Sequence, residues 1–217
     1  MPFDTIEPPK TGLVLFDMLN SGFRERSEEV QRSKQPMVDN CVRLMNVARE
    51  MGMPIFYPKA DHRADSKDLE RRYIDLAPDM KPWPNPENRY RPHGTNVAGN
   101  PGGDVIDELE PAAEDYVIPK HRWNAFFQTK LELSMRARGI SVMVLCGGAI
   151  EVGIASTAYA ARDLDLDIVF VRDGCHSGKP GVGEMFMDQI FSRMGRVRST
   201  DDVLAMIRAG AAAAAQR

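Results

Sequence analysis

Six short apolar runs, separated by polar turns and longer helical patterns, leave this chain few folds to adopt. They cover residues 12–17, 54–57, 116–120, 142–146, 167–171 and a last short stretch from Val197. Runs this brief and this uniformly apolar suit strands buried on both faces, with the intervening helices doing the burying. Val38, Cys41, Leu44, Met45 and Ala48 recur at helical spacing, which predicts a helix over 36–51 that opens on Pro36 and stops at Gly52. Further helices are expected over 105–109, 129–137, through Gly153, over 184–192 and toward Ile207. The fold class is therefore α/β: one domain over 1–217, with a parallel sheet between two helical layers and an alanine-rich tail, 209–217, that extends the last helix or frays.

Between the second and third runs lies a long polar excursion, residues 59–101, with Pro78, Pro82, Pro84, Pro86 and Pro92 ahead of Pro101. A loop of this length usually serves as a lid or an oligomer contact, so His62, Arg63, Trp83, Arg89, Tyr90, Arg91 and His93 are expected to supply specificity.

The formal charge of -3 gives no electrostatic basis for nucleic acid as partner. No apolar run approaches a membrane span, and the first residues lack a basic stretch followed by an apolar one. The three cysteines, Cys41, Cys146 and Cys175, form no C-x-x-C pair, which points to free thiols and a cytoplasmic chain. The four histidines show no metal-ligand spacing and read as solvated loop residues, so neither metal nor cofactor is expected.

In an open parallel sheet, ligands bind outside the carboxyl ends of the strands, near the reversal of strand order. Asp17 closes the first run and Lys120 the third, and both point toward one crevice where a carboxylate and an ammonium can serve acid–base chemistry. A capping carboxylate and a surface lysine are the plainer alternatives. After the fourth run, Gly147-Gly148 makes a tight turn into a helix; it is no G-x-G-x-x-G, but it can aim the N–H groups of Ala149 and Gly153 at a substrate oxygen. Simple strand-to-helix packing explains the same glycines. Cys146 reads as core, Cys175 beside His176 as a candidate nucleophile, and Trp123, Phe126 and Phe127 as pocket wall or core.

Together, Leu13-Val14-Leu15-Phe16-Asp17-Met18, the stretch from Pro119 to Leu131 and the turn-helix from Gly147 to Ala158 resemble the isochorismatase-like, or cysteine hydrolase, superfamily. Asp173 also fits its pattern. The resemblance covers nearly the whole chain and implies a Rossmann-like three-layer sandwich with a six-stranded parallel sheet, order 3-2-1-4-5-6. It further implies a pocket containing Asp17 and Lys120, a cis peptide at Gly148–Ala149, and association into a homo-oligomer. Most members carry a nucleophilic cysteine where this chain has Gly153. The isochorismatase branch also lacks it, but differs from this chain at Ala149-Ile150-Glu151 and has a glutamine with no counterpart near Lys59-Ala60. The zinc-binding D-x-H-x-x-H of nicotinamidases is absent as well.

These features imply a hydrolase of a small polar metabolite that uses Asp17 and Lys120 without a cysteine, by water addition of the vinyl-ether type. Gly148, Ala149, Gly153, Trp123 and Phe126 would bind substrate, with water or a substrate oxygen in the room left by the missing thiol. A catalytically silent binding protein and an amidohydrolase recruiting Cys175 are the alternatives.

Overall fold

The computed structural model describes residues 4–65, 67–68 and 96–216. Strands β1 (Thr11–Phe16), β2 (Ile55–Ala60), β3 (Tyr116–Lys120), β4 (Val142–Gly148), β5 (Asp167–His176) and β6 (Arg196–Arg198) form one parallel sheet in the order β3-β2-β1-β4-β5-β6. Strand order therefore reverses between β1 and β4, which pair from Thr11 with Val142 to Phe16 with Gly147. Successive residues of β1 serve opposite faces. Leu13 and Leu15 join Val38, Cys41 and Leu44 of α1 (Glu28–Glu50), while Val14 and Phe16 join Leu131 and Met135 of α2 (Leu131–Ala137) and Ala158 of α3 (Ala155–Asp163). Helix α4 (Thr200–Ala215) lies on the α1 face through Val203, Leu204 and Ile207.

Several boundaries differ from the sequence expectation for local physical reasons. Helix α1 starts well before Pro36, because the Ser27 hydroxyl caps it by accepting from Val30 N and Glu28 and Glu29 favour its positive end. Pro36 sits inside the helix and removes one N–H from its ladder. Strand β2 continues through Pro58, since its pairing with β1 ends at Phe56 and Pro58 contributes only its carbonyl, which accepts Asp17 N–H at 2.9 Å. The helix expected over 184–192 is a chain of short turns: Val182–Met185, a wide turn Phe186–Ile190, then Phe191–Arg193. Residues 105–109 form only a single tight turn, Asp107–Leu109. Asp173 does not enter the crevice beside Asp17; its carboxylate caps α4, accepting from Thr200 N at 2.8 Å and Thr200 Oγ1 at 2.9 Å.

Trp83, Arg89, Tyr90, Arg91, His93 and the prolines from Pro78 to Pro92 lie outside the described residues. Among the described residues no helix is long and apolar enough to cross a membrane.

The alanine-rich tail extends α4 and packs it closely on the chain's start. A Cβ on Gly210 would stand 1.8 Å from the Ile6 carbonyl oxygen. Glycine inside a helix ordinarily yields stability when replaced by alanine, by about 1 kcal/mol. Here Gly210→Ala is expected to lower unfolding stability instead, by about 1–3 kcal/mol, as measured by urea denaturation.

Candidate functional site

The end of β1 turns sharply at Asp17, whose φ of 49° lies in the left-handed region that aspartate tolerates better than most residues. Its backbone N–H donates to Pro58 O and its carbonyl accepts from Leu19 N, so the turn is held from both sides. The side chain then meets the next two strands. Oδ1 accepts Ala60 N–H at 2.8 Å, and Oδ2 accepts Lys120 Nζ at 2.7 Å. Lys120 is 4% exposed and stands 4.6 Å from the centroid of the Phe16 ring, a cation–π arrangement in a nearly dry setting. Asp17 and Lys120 are thus brought together as expected, and both line a cavity of about 530 Å³.

The remaining wall differs in part from the expectation. Trp123 lines the cavity, but Phe127 rather than Phe126 stands beside it. The side chain of Asn124 accepts Phe126 N–H and forms a turn that leaves Phe126 packed on the apolar core and Phe127 half exposed. From the turn-helix segment the wall takes Val152 and Ser156, one helical turn apart, rather than Gly148, Ala149 or Gly153. His62, Asn96, His121, Arg122 and Asn124 complete it with Ala60.

Gly153 has a different neighbour from the one anticipated. A Cβ placed there would lie 2.2 Å from Phe16 Cε1 and 2.5 Å from Cζ. The space beside Gly153 is filled by the Phe16 ring rather than left for the water or substrate oxygen expected there, because the ring of this wholly buried β1 residue packs against the glycine. The turn before it retains the expected backbone: Gly147 has φ 109° and the Gly148–Ala149 peptide is cis. A side chain at Gly147 would meet the Phe16 carbonyl oxygen at 2.1 Å, so glycine is required there by space as well as by φ.

Cys175 lines a separate cavity of about 440 Å³ with Arg172, Lys179 and Glu184. Its thiol donates to Leu145 O, and burial pushes its pKa well up, which opposes a thiolate. The nucleophile alternative at Cys175 therefore lacks both ionisation and access to Asp17. Its neighbour His176 packs its ring against Gly148 and edge-on to Phe23. Burial, reinforced by Lys34 and opposed by Glu151, pushes this imidazole down to about 4.

His62 and His121 are not isolated loop residues. β2 and β3 pair Ala60 with Lys120, which sets the two histidines side by side just beyond the strand ends. Asp68 joins them: its Oδ2 is 3.2 Å from His62 Nδ1 and 3.4 Å from His121 Nδ1. The adjacency of β2 and β3 in the expected strand order is the signal that would have found this pair.

A family model described as the isochorismatase domain matches residues 11–202. Among relatives, a ureidoacrylate amidohydrolase RutB of Acinetobacter baylyi is 27% identical over 81% of this chain and 74% of its own. The phenazine biosynthesis protein PhzD1 of Pseudomonas aeruginosa is 28% identical over 92% and 87%. A solved isochorismatase family protein from Burkholderia thailandensis superimposes with a TM-score of 0.75 at 25% identity, over 94% of this chain and 98% of the other.

Two outcomes follow from the packing. Gly153→Cys should lower unfolding stability by about 1–3 kcal/mol through overpacking. Pairing it with Phe16→Val should return part of that loss as a favourable coupling in a double-mutant cycle of urea denaturation. Independently, an unfolded chain takes up the His176 proton before the folded one does. Stability from the neutral ring is complete above its ordinary value of 6.5 and is lost as pH falls from there to about 4. Thermal unfolding midpoints should decline across that window in the wild type and less steeply in His176→Asn.

Proposed function

The chain belongs to the isochorismatase family and is a hydrolase, and from that premise we propose that it adds water to a small polar metabolite by acid–base chemistry at Asp17, with no covalent intermediate. One observation carries this reading. The Asp17–Lys120 pair opens onto a roomy cavity while the Phe16 ring takes the place a nucleophilic thiol needs.

Asp17 is the group that moves a proton, and Lys120 and the Ala60 N–H hold its two oxygens so that it faces substrate in one orientation. With an enol ether as substrate, the Asp17 carboxyl protonates the terminal carbon and leaves an oxocarbenium ion. Water adds to that cation and returns a proton to Asp17. The hemiketal then collapses, breaking the C–O bond to give a ketone and an alcohol. The Lys120 ammonium offsets the negative charge on Asp17 while its proton is on the substrate. Trp123 and Phe127 offer flat apolar faces, and Arg122, Asn96 and Asn124 offer polar ones, which suits a small unsaturated molecule with an anionic or carbonyl group.

A second reading, a binding protein without turnover, draws on the same filled position at Gly153. Turnover and thermal-shift measurements over a panel of enol ethers, small amides and ureas separate the two. The expected result is hydrolysis of a panel member by the wild type and loss of at least 100-fold in kcat in Asp17→Asn, with folding and ligand-induced shift retained. Full activity in Asp17→Asn overturns the proposal, and binding across the panel with no turnover favours the silent reading.

A further inference from the structure

We infer that the cavity beside Cys175 binds a small zwitterion, an α-amino acid with an aliphatic or thioether side chain. The cavity measures about 440 Å³, within the span of roughly 300–1,000 Å³ typical of small-molecule sites, and shares no wall residue with the one that contains Asp17. Its floor is apolar and closed to water: Ile150 is 3% exposed and Met187 2%, with Cys175 beside them. Three charged side chains stand at its exposed rim. Arg172 and Lys179 bring positive charge and Glu184 negative.

The outer wall, residues 177–187, is held at both ends. Gly178 N–H donates to Glu151 Oε1 at 2.9 Å, which ties the segment to the turn after β4, and just past its far end Asp188 pairs with Arg172 of β5. Between these ties, Ser177 Oγ accepts from Lys179 N at 3.1 Å and donates to Lys179 O at 3.0 Å. Gly183 lies so close to the floor that a Cβ there would stand 3.2 Å from Ser177 Cβ and 3.3 Å from Ile150 Cδ1. With its backbone fixed in this way, Lys179 keeps its ammonium available to a ligand.

The charges select what can enter. Among the described residues neither Lys179 nor Glu184 forms an ion pair, and Arg172 directs one N–H group to Asp188 while others remain. A monoanion would meet Glu184 as a like charge, and a monocation would meet Arg172 and Lys179. An α-ammonium and an α-carboxylate answer both signs at once through charge-assisted hydrogen bonds. The rest of the molecule then falls on Ile150, Met187 and Cys175, a surface that accepts an apolar side chain and penalises a charged one.

The site stands apart from the hydrolytic assignment and is tested by binding alone. The full chain is titrated by calorimetry with leucine and methionine, and with 4-methylpentanoate, leucinamide and lysine, which lack the ammonium, lack the carboxylate or add a side-chain charge. The expected result is one leucine or methionine per chain, with each of the other three bound about tenfold more weakly or not at all. Lys179→Ala and Glu184→Gln should each weaken leucine binding about tenfold. Both positions are exposed, so the variants keep the fold. Trp123→Ala, in the wall of the other cavity, should bind leucine as the wild type does. Absence of saturable binding, equal affinity for any of the three altered compounds, loss of binding in Trp123→Ala, or binding unaffected by both rim substitutions overturns the inference.

Discussion

Three neighbouring strands are tied at their carboxyl ends by one side chain. Asp17 closes β1, takes an N–H from Ala60 of β2 with one oxygen and the Lys120 ammonium of β3 with the other. Lys120 is almost wholly out of water, where an unpaired ammonium is expensive, while Asp17 keeps part of its carboxylate open to the cavity. Here further interactions offset the desolvation: the backbone N–H on Asp17 and the Phe16 ring beneath Lys120. The unusual backbone of Asp17 belongs to the same arrangement. Turning at φ 49°, the residue after β1 has its carboxylate across β2 toward β3.

Phe16 links that pair to Gly153. Its ring lies close to Lys120 on one side and against Gly153 on the other. Glycine at 153 and phenylalanine at 16 are therefore one feature of the packing, since a side chain at the first position requires that the second be smaller or moved. The backbone around them keeps the family's turn, with Gly147 pressed on the Phe16 carbonyl and the cis peptide following. What fills the side-chain space at 153 is a ring arriving from the neighbouring strand, while the turn before it stays in place.

The parts of this structure legible in the sequence were those set by periodicity and by residues at strand ends. The parallel sheet followed from the apolar runs and its strand order from the family resemblance, while the meeting of Asp17 with Lys120 followed from their places at strand ends. Parts set by packing between distant segments were not legible. Nothing in the local sequence of Gly153 says that an aromatic ring 137 positions earlier occupies its side-chain space. Phe126 and Phe127 are equally apolar, and only the Asn124 turn decides which of them faces the cavity. Pro36 misplaced the start of α1 because a proline is a better helix-start signal than an obstacle, whereas the Ser27 cap nine residues earlier proved decisive. The pairing of His62 with His121 was reachable in principle, since it needs only the register of β2 on β3.

The geometry also narrows how any reaction in this cavity can divide its work. A thiol at 153 would combine nucleophile and reacting-atom anchor in one group, leaving the aspartate only to move its proton. With that position filled, the proposed attack comes from water rather than from a side chain at 153. In the proposed reaction Asp17 deals with substrate directly rather than through a sulfur, which is served by an orientation fixed independently of substrate. The Ala60 N–H and Lys120 supply that fixation from two adjacent strands. In that proposal the substrate is anchored by the other wall, where Trp123, Phe127, Arg122 and the His62–His121 pair stand. A glycine at 153 packed under the Phe16 ring thus leaves positioning, in the proposed reaction, to the ends of β2 and β3 rather than to the helix after β4.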